Sequence, residues 1–144
     1  MRAGAAVAAD VVRHRGSPAD VRRRHPAPAS FAAVEGERIL GFVSLKEHFP
    51  QAWEIHCIAV HAASRNAGIG RALVAHVEHW LVARKVSLLQ VKTVAATSTS
   101  KAYAETRGFY DRLGFQALEV FPLLWAPQNP CLLLVKQLQG TESP

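Results

Sequence analysis

The sequence predicts an α/β domain, and three observations support this fold class. Short apolar segments separated by turn residues recur from residue 31 onward, as in consecutive strands. Between residues 70 and 84 the apolar spacing becomes helical. The strand after that helix should lie parallel to the strand before it, because a helical crossover joins parallel neighbours.

The first three elements are strands. Residues 31–48 contain two strands joined by a turn at Glu35, Gly36 and Glu37, and a second turn at Pro50 and Gln51 precedes a strand at 53–60. Side chains alternate between the two faces of a strand. The third strand is therefore predicted to have one face with Glu54, His56, Ile58 and Val60 and another with Ile55, Cys57 and Ala59.

The later elements alternate between helix and strand. An amphipathic helix of about 15 residues should begin at Gly70. A strand at 87–94 and a Ser/Thr-rich loop follow. A short helix is expected at 103–113, ended by Gly114 in the C-terminal glycine position. The chain should finish with a strand at 115–121, a loop at 122–130 with three prolines, and a buried strand at 131–138.

Length and composition indicate a single domain, since 144 residues can bury a substantial core. We assign residues 31–140 to this core, and residues 1–30, rich in Ala, Arg and Pro, to a poorly specified N-terminal segment.

The net charge of +6 favours an anionic ligand. Only Cys57 and Cys131 are cysteines, which favours a cytoplasmic protein without a disulfide framework or metal site. No apolar run approaches the ~18 residues of a membrane span.

The segment AVHAASRNAGIGRALV, residues 59–74, joins a strand to a helix through two glycines, Gly68 and Gly70. The first amides of a helix lack internal partners, and the helix dipole adds partial positive charge there. Glycine allows an anion to approach the backbone, and Arg65 and Arg71 would add full charges. The junction therefore predicts a phosphate or pyrophosphate site.

Two common phosphate loops do not fit this spacing. The Walker pattern G-x-x-x-x-G-K-[ST] is missing from the sequence. A dinucleotide fingerprint would require a third glycine where Leu73 stands, and an acidic residue at the end of the next strand. Both alternatives are therefore rejected.

The remaining pattern, V-x-x-x-x-R-x-x-G-x-G, is formed by Val60, Arg65, Gly68 and Gly70. It resembles the acetyl-CoA signature of the GCN5-related N-acetyltransferase (GNAT) superfamily. The later stretch RGFYDRLGF, residues 107–115, resembles the second conserved block of that family. The resemblance spans roughly residues 31–138.

The resemblance implies a GNAT-like central sheet that is mixed and mostly antiparallel, with a splayed parallel strand pair and helices on both faces. Acetyl-CoA would be the co-substrate, with its pantetheine arm along Ile58, Ala59 and Val60. Its pyrophosphate would be held by Arg65, Asn66, Ala67, Gly68, Ile69, Gly70 and Arg71. Tyr103 stands where many members have an asparagine that contacts pantetheine, and it is a further candidate for cofactor binding.

The resemblance also implies catalytic roles. Tyr110 occupies the position of the family's tyrosine and would be the general acid that protonates the leaving sulfur. Glu54 lies six residues before Val60, where one branch of the family has its general base. His56, two residues further on, is the alternative base, and water is another.

The predicted function is acetyl transfer from acetyl-CoA to a primary amine, on a small molecule or a protein. The alternative is a catalytically inactive CoA-binding or regulatory module with the same fold. Nucleic acid is disfavoured as a partner, because the basic residues lack interleaved stacking aromatics. No membrane association is expected, and a homodimer is considered because family members commonly dimerise.

Overall fold

The computed structural model describes residues 29–65, 67–95 and 100–138. In these ranges the chain forms six strands and two α-helices. In chain order these are β1 (Ser30–Glu35), β2 (Arg38–Phe49), β3 (Ala52–Val60), α1 (Ile69–Ala83), β4 (Leu88–Val94), α2 (Lys101–Arg112), β5 (Gln116–Ala126) and β6 (Asn129–Gln137). Neither α1 nor α2, the helices of the described ranges, is long and apolar enough to cross a membrane.

The six strands form one sheet in the order β1-β2-β3-β4-β6-β5. β3 and β4 are parallel, and every other neighbouring pair is antiparallel. The parallel pair is joined through α1, as a helical crossover requires. The predicted mixed, mostly antiparallel sheet is therefore confirmed.

Both described helices pack against the same face of the sheet. The apolar side of α1, including Leu73, Val77 and Leu81, joins sheet residues and Tyr110 of α2 in one buried cluster. Lys136 on β6 connects the two helices, because its Nζ donates to Glu78 Oε2 on α1 at 2.8 Å and to the carbonyl of Leu113 after α2 at 2.7 Å. The predicted helices on both faces are thus seen on one face only within the described ranges.

A β-bulge in β3 changes the predicted alternation of its side chains. Cys57 pairs with Ser44 of β2, but Ile55 pairs with Leu45, so His56 is an extra residue. Ile55 belongs to the buried cluster, and Ile58 and Val60 pack against the same cluster. The prediction that Glu54 shares a face with Ile58 and Val60 is therefore wrong, because the bulge shifts the alternation by one residue.

The C-terminal hairpin is longer than predicted. β5 continues through Pro122 to Ala126, so the predicted loop at 122–130 is reduced to a turn at Pro127 and Gln128. Proline is tolerated here because β5 is an edge strand, where a missing N–H need not break a ladder. Its pairing with β6 is irregular between Phe121 and Ala126, which leaves several apolar side chains exposed.

Candidate functional site

The N-terminus of α1 presents unpaired backbone donors to the surface. Gly68 is the N-cap residue, with a left-handed φ of 81°, and no side chain caps the helix. The first intrahelical bond runs from the N–H of Ala72 to the carbonyl of Gly68, so the preceding helical amides lack such partners. A Cβ added at Gly68 would meet no atom within 4 Å. An anion can therefore approach the backbone at this position.

Gly70 is constrained by packing. A Cβ added there would lie 3.2 Å from two ring carbons of Phe109 on α2. The missing side chain allows α1 and α2 to approach closely. The two glycines of the predicted loop thus differ: Gly68 is open to a ligand, and Gly70 accommodates a neighbouring helix.

The other predicted loop residues surround this helix start. Arg65, Ala67 and Arg71 are exposed, whereas Ile69 is buried in the core. Asn66 lies outside the described residues. The two arginines, three residues before and after Gly68, add positive charge to the uncapped amides.

The parallel strands separate next to this junction. β3 and β4 pair from Ala52 with Leu88 as far as Ile55 with Val91, and no further pairing joins them in the described chain. Beyond that point β3 pairs only with β2, and β4 pairs only with β6. The edge of Cys57–Val60 that faces β4 therefore has no strand partner in the described chain and is open to a ligand, as the predicted splay requires. On the β4 side, the carbonyl of Val94 accepts a hydrogen bond from Arg107 Nη1 on α2 at 2.7 Å. Ile58, Ala59 and Val60 lie on this free edge of β3.

Tyr110 lies in the core beside the opened strands. Tyr110 is only 3% exposed, and its ring packs edge-on against the rings of Phe109 and Phe115. Burial, together with the electrostatic influence of Cys57 on β3, raises the pKa of Tyr110 to about 12. Among the described residues none hydrogen-bonds the hydroxyl. The phenol is therefore protonated at neutral pH and available as a donor.

Glu54 is the centre of a buried polar cluster on the sheet face opposite α1. The residue is 6% exposed, and its Oε1 lies 2.6 Å from His48 Nε2 and 3.2 Å from Gln90 Nε2. Lys92 Nζ lies 3.2 Å from Oε1 and 3.1 Å from Oε2. Burial alone would raise the pKa of Glu54, but the hydrogen bonds from His48 and Lys92, with the lysine charge, outweigh it and lower the pKa. His56 is exposed at the bulge and does not join this cluster.

A pocket of about 360 Å³ begins where the parallel pairing ends. It is bounded by the second half of β4, the first turn of α2 and the turn end of the β5–β6 hairpin. Tyr103 lines this pocket and is 38% exposed, so it lies beside the opening of the strands. The pocket is lined by Lys92, Thr93, Val94, Tyr103, Trp125 and Asn129.

A family model described as the acetyltransferase (GNAT) family matches residues 7–115, which is most of the chain. The chain belongs to the GNAT acetyltransferase family. It is accordingly an N-acetyltransferase, and acetyl-CoA is the acetyl donor of its family. No protein in a search of curated proteins matches this sequence.

Solved structures agree with the family assignment. A protein from Desulfovibrio desulfuricans, described as a GNAT-family acetyltransferase, is 25% identical, with a TM-score of 0.70 over 78% of this chain and 70% of its own. An aminoglycoside 6'-N-acetyltransferase complexed with coenzyme A is 20% identical, with a TM-score of 0.69 and coverages of 82% and 77%. The ribosomal-protein-S18-alanine N-acetyltransferase of Escherichia coli is 17% identical, with a TM-score of 0.66 and coverages of 92% and 84%. The last two likenesses establish the fold alone.

The residues of this acetyltransferase fit acetyl-CoA. The uncapped amides at Gly68 and the flanking arginines suit a pyrophosphate, and the free edge of β3 suits the amide groups of pantetheine. Both features lie on consecutive elements, β3 and α1, so one extended ligand can reach them together. Binding at such a site neutralises phosphate charge and pairs backbone groups that are otherwise left to water.

Several residues of this candidate site were not predicted from the sequence. Lys92, His48 and Gln90 surround Glu54, and Asn129 lines the pocket, but no motif includes them. They come together through strand register, since Glu54 pairs with Gln90 on the parallel neighbour. The alternation of β4, which places Gln90 and Lys92 on one face, is the signal that could have indicated two of them.

Proposed function

We propose that this acetyltransferase moves the acetyl group directly from acetyl-CoA to a primary amine of a small molecule or a protein. The observation that supports this most strongly is the opening of β3 from β4 after Ile55, beside an uncapped helix N-terminus. In this proposal the pantetheine lies along Ile58–Val60, and the pyrophosphate lies at residues 65–71. The reacting thioester would then be near the start of the opening, close to Tyr110 and Glu54.

The reaction needs one proton removed and one supplied. The neutral amine nitrogen attacks the thioester carbon, the C–S bond breaks, and the acetyl group forms an amide with the nitrogen. The amine loses one proton, and the departing thiolate of CoA gains one. A primary amine with a pKa near ~10.4 is mostly protonated at neutral pH, so the acceptor must also lose its extra proton before attack.

Tyr110 is proposed as the acid. Its raised pKa keeps the phenol protonated, so it can donate a hydrogen bond to the sulfur as negative charge develops there. A thiol has an ordinary pKa of about 8.5, well below that of Tyr110. Stabilisation of the thiolate by this hydrogen bond is therefore its main contribution, with full proton transfer favoured only as the sulfur is desolvated.

Glu54 is proposed to act on the amine proton through water. A carboxylate has about four lone-pair positions, and Oε1 already faces three donors. Oε2 contacts only Lys92 among the described residues, which leaves room for one water. Its lowered pKa makes Glu54 a weak base, so His56 or bulk water remain the alternatives.

Two measurements test the proposed function. Acetyl-CoA should raise the melting temperature, because a ligand that binds only the folded state stabilises it by mass action. Thiol release with a panel of primary amines should then show turnover. A thermal shift without turnover would favour the alternative of an inactive CoA-binding module. No thermal shift would contradict both.

The expected homodimer and the cytoplasmic location remain proposals. β5 supports self-association, because it is an edge strand with exposed Leu118, Leu123 and Leu124 and a single charged residue, Glu119. Light scattering would give a mass near twice that of the 15.7 kDa chain if the dimer forms. The cytoplasmic location is supported by Cys57 and Cys131, which are both free thiols.

A further inference from the structure

The pocket beside the opened strands has an asymmetric charge distribution. Lys92 is the one charged residue among the six described residues that line it, and none of these six is acidic. Glu54 lies behind Lys92 and does not line the pocket. Of the two members of this ion pair, the lysine and not the glutamate therefore lies at the pocket wall.

The ammonium of Lys92 is held in place by its partner. Both carboxylate oxygens of Glu54 lie within 3.2 Å of Nζ, and the carboxylate is itself fixed by His48 and Gln90. The side chain of Lys92 keeps 26% exposure, so the ammonium is not fully enclosed by this cluster. An ammonium has three donors, and those not directed at Glu54 remain for a ligand.

The charged residues on the same sheet face do not reverse this asymmetry. Lys46 of β2 pairs directly with Glu54, which places a second cation on the far side of the carboxylate. Among the described residues, Glu119 of β5 is the other acid on this face, two strands from Lys92 and separated from it by Leu133. A distance of two strand spacings, about 10 Å, reduces its effect on a ligand at Lys92 to a weak, screened one.

Two aromatic residues form the rest of the wall. Tyr103 and Trp125 are 38% and 47% exposed, so large parts of both side chains are accessible from the pocket or its mouth. Val94 adds an apolar surface, and Asn129 adds an amide. A flat or apolar molecular body fits this wall, and an anionic group fits Lys92 and the amide.

We propose that the acceptor is a small amine that also carries a carboxylate and an apolar or aromatic side group, as an amino acid does. Lys92 binds the carboxylate and determines this specificity, and Glu54 positions Lys92. A polycationic acceptor, such as an aminoglycoside or a polyamine, is disfavoured because no acid among the described lining residues can pair with its extra charges. This inference rests on the proposed acetyl transfer.

Matched pairs of amines test the inference by thiol release from acetyl-CoA. Phenylalanine is compared with phenethylamine and phenylalaninamide, tryptophan with tryptamine, and an aminoglycoside and spermidine complete the panel. We expect kcat/KM for the carboxylate-bearing member to be at least about ten-fold higher, as for a charge-assisted hydrogen bond. The inference would be overturned if the amines without a carboxylate were turned over equally fast or faster. It would also be overturned if the protein bound acetyl-CoA but acetylated no member of any pair.

Variants of the lysine locate the effect. Lys92→Met should reduce the ratio within each pair to near one, with the larger loss for the amino acid. The double variant Lys92→Met/Glu54→Gln avoids an unpaired buried carboxylate and should show the same loss of discrimination in a folded protein. Lys46→Met, on the same face but outside the pocket, should keep the wild-type ratio. An unchanged ratio in both Lys92 variants would contradict the role of Lys92.

Failure of the proposed acetyl transfer and failure of the proposed acceptor class give different results. If acetyl-CoA produces neither a thermal shift nor turnover with any amine, the proposed function fails. If acetyl-CoA binds and amines without a carboxylate are the better acceptors, acetyl transfer stands and only the acceptor class is wrong.

Discussion

Gly68 at the start of α1 combines a strained conformation with an open surface. Its φ of 81° is unfavourable for any residue with a Cβ, yet no atom would obstruct that Cβ. Gly36 in the β1–β2 turn has the same two properties, with a φ of 62°. The two positions differ in their place in the molecule, because Gly36 lies in the β1–β2 turn, whereas Gly68 is the N-cap of α1.

Replacement of these glycines separates strain from ligand binding. Gly68→Ala and Gly36→Ala should each lower the free energy of unfolding by about 1–2 kcal/mol, the cost of a left-handed conformation for an L-residue. Only Gly68→Ala should also weaken the binding of acetyl-CoA, because the added methyl group lies where the anion would approach the backbone amides. Urea denaturation and calorimetric titration measure the two effects. Equal acetyl-CoA affinity in both variants would argue against a phosphate at Gly68.

The role of Tyr110 can be tested by a substitution that removes only its hydroxyl group. Tyr110→Phe keeps the buried ring between Phe109 and Phe115 and removes the hydroxyl, so folding should be little affected. We expect kcat to fall by about 10²-fold or more, the usual contribution of a positioned acid, with acetyl-CoA affinity retained. Steady-state thiol release and titration give both values. Wild-type kcat in this variant would exclude the acid role.

Glu54 should make the free energy of unfolding depend on pH in the acidic range. Its pKa is lowered in the folded protein, since hydrogen bonds from His48 and Lys92 outweigh the effect of burial. The ionised carboxylate therefore contributes stability above the ordinary pKa of 4.5, and that contribution is lost as the pH falls through the folded-state pKa. Glu54→Gln should unfold about 1–3 kcal/mol more easily at neutral pH and should lose less stability on acidification.

A matched acid provides the control for this measurement. Glu119 is exposed on β5, and Glu119→Gln should follow the wild-type curve of unfolding free energy against pH. Denaturant unfolding between neutral pH and pH values below 4.5 gives the curves. If Glu54→Gln and wild type lose stability in parallel on acidification, the cluster does not hold the carboxylate ionised as described.

At the scale of elements, the contact between α1 and α2 sets the geometry of the site. Gly70 lies against the ring of Phe109, so Gly70→Ala should push the helices apart and cost about 1–3 kcal/mol by overpacking. Phe109→Leu removes the obstructing ring carbons. In a double-mutant cycle the two changes should couple, with the double variant more stable than the sum of the single losses predicts. Additive losses would mean that the contact does not limit helix approach.

Helices and strands could be predicted from the sequence wherever residues adjacent along the chain determine the local backbone conformation. The alternation of apolar residues and the turn glycines were sufficient for the strands and for α1, whose predicted start at Gly70 is one residue late. The bulge at His56 was not predictable, because it depends on the register with β2. The extension of β5 through Pro122 depends on its edge position, which only the assembled sheet determines.

At the scale of the molecule, some residues of the candidate site could be predicted from local sequence, and others come together only in the folded chain. Motif spacing was enough to indicate Gly68, Arg65 and Tyr110, because each belongs to a contiguous segment. The neighbours of Glu54 come from β2 and β4, and the pocket combines β4, α2 and the distant hairpin. Such groups share no segment, so single-sequence patterns do not associate them. The proposed acceptor class therefore rests on the assembled fold, whereas the acetyl donor could be predicted from the sequence.

The whole account depends on one ligand occupying two adjacent features, the uncapped start of α1 and the free edge of β3. A crystal structure with bound coenzyme A tests this most directly. We predict pyrophosphate oxygens within hydrogen-bond distance of amides at residues 68–71, pantetheine beside residues 57–60, and the sulfur near the hydroxyl of Tyr110. Coenzyme A bound elsewhere on the sheet, with both features left to solvent, would contradict the account.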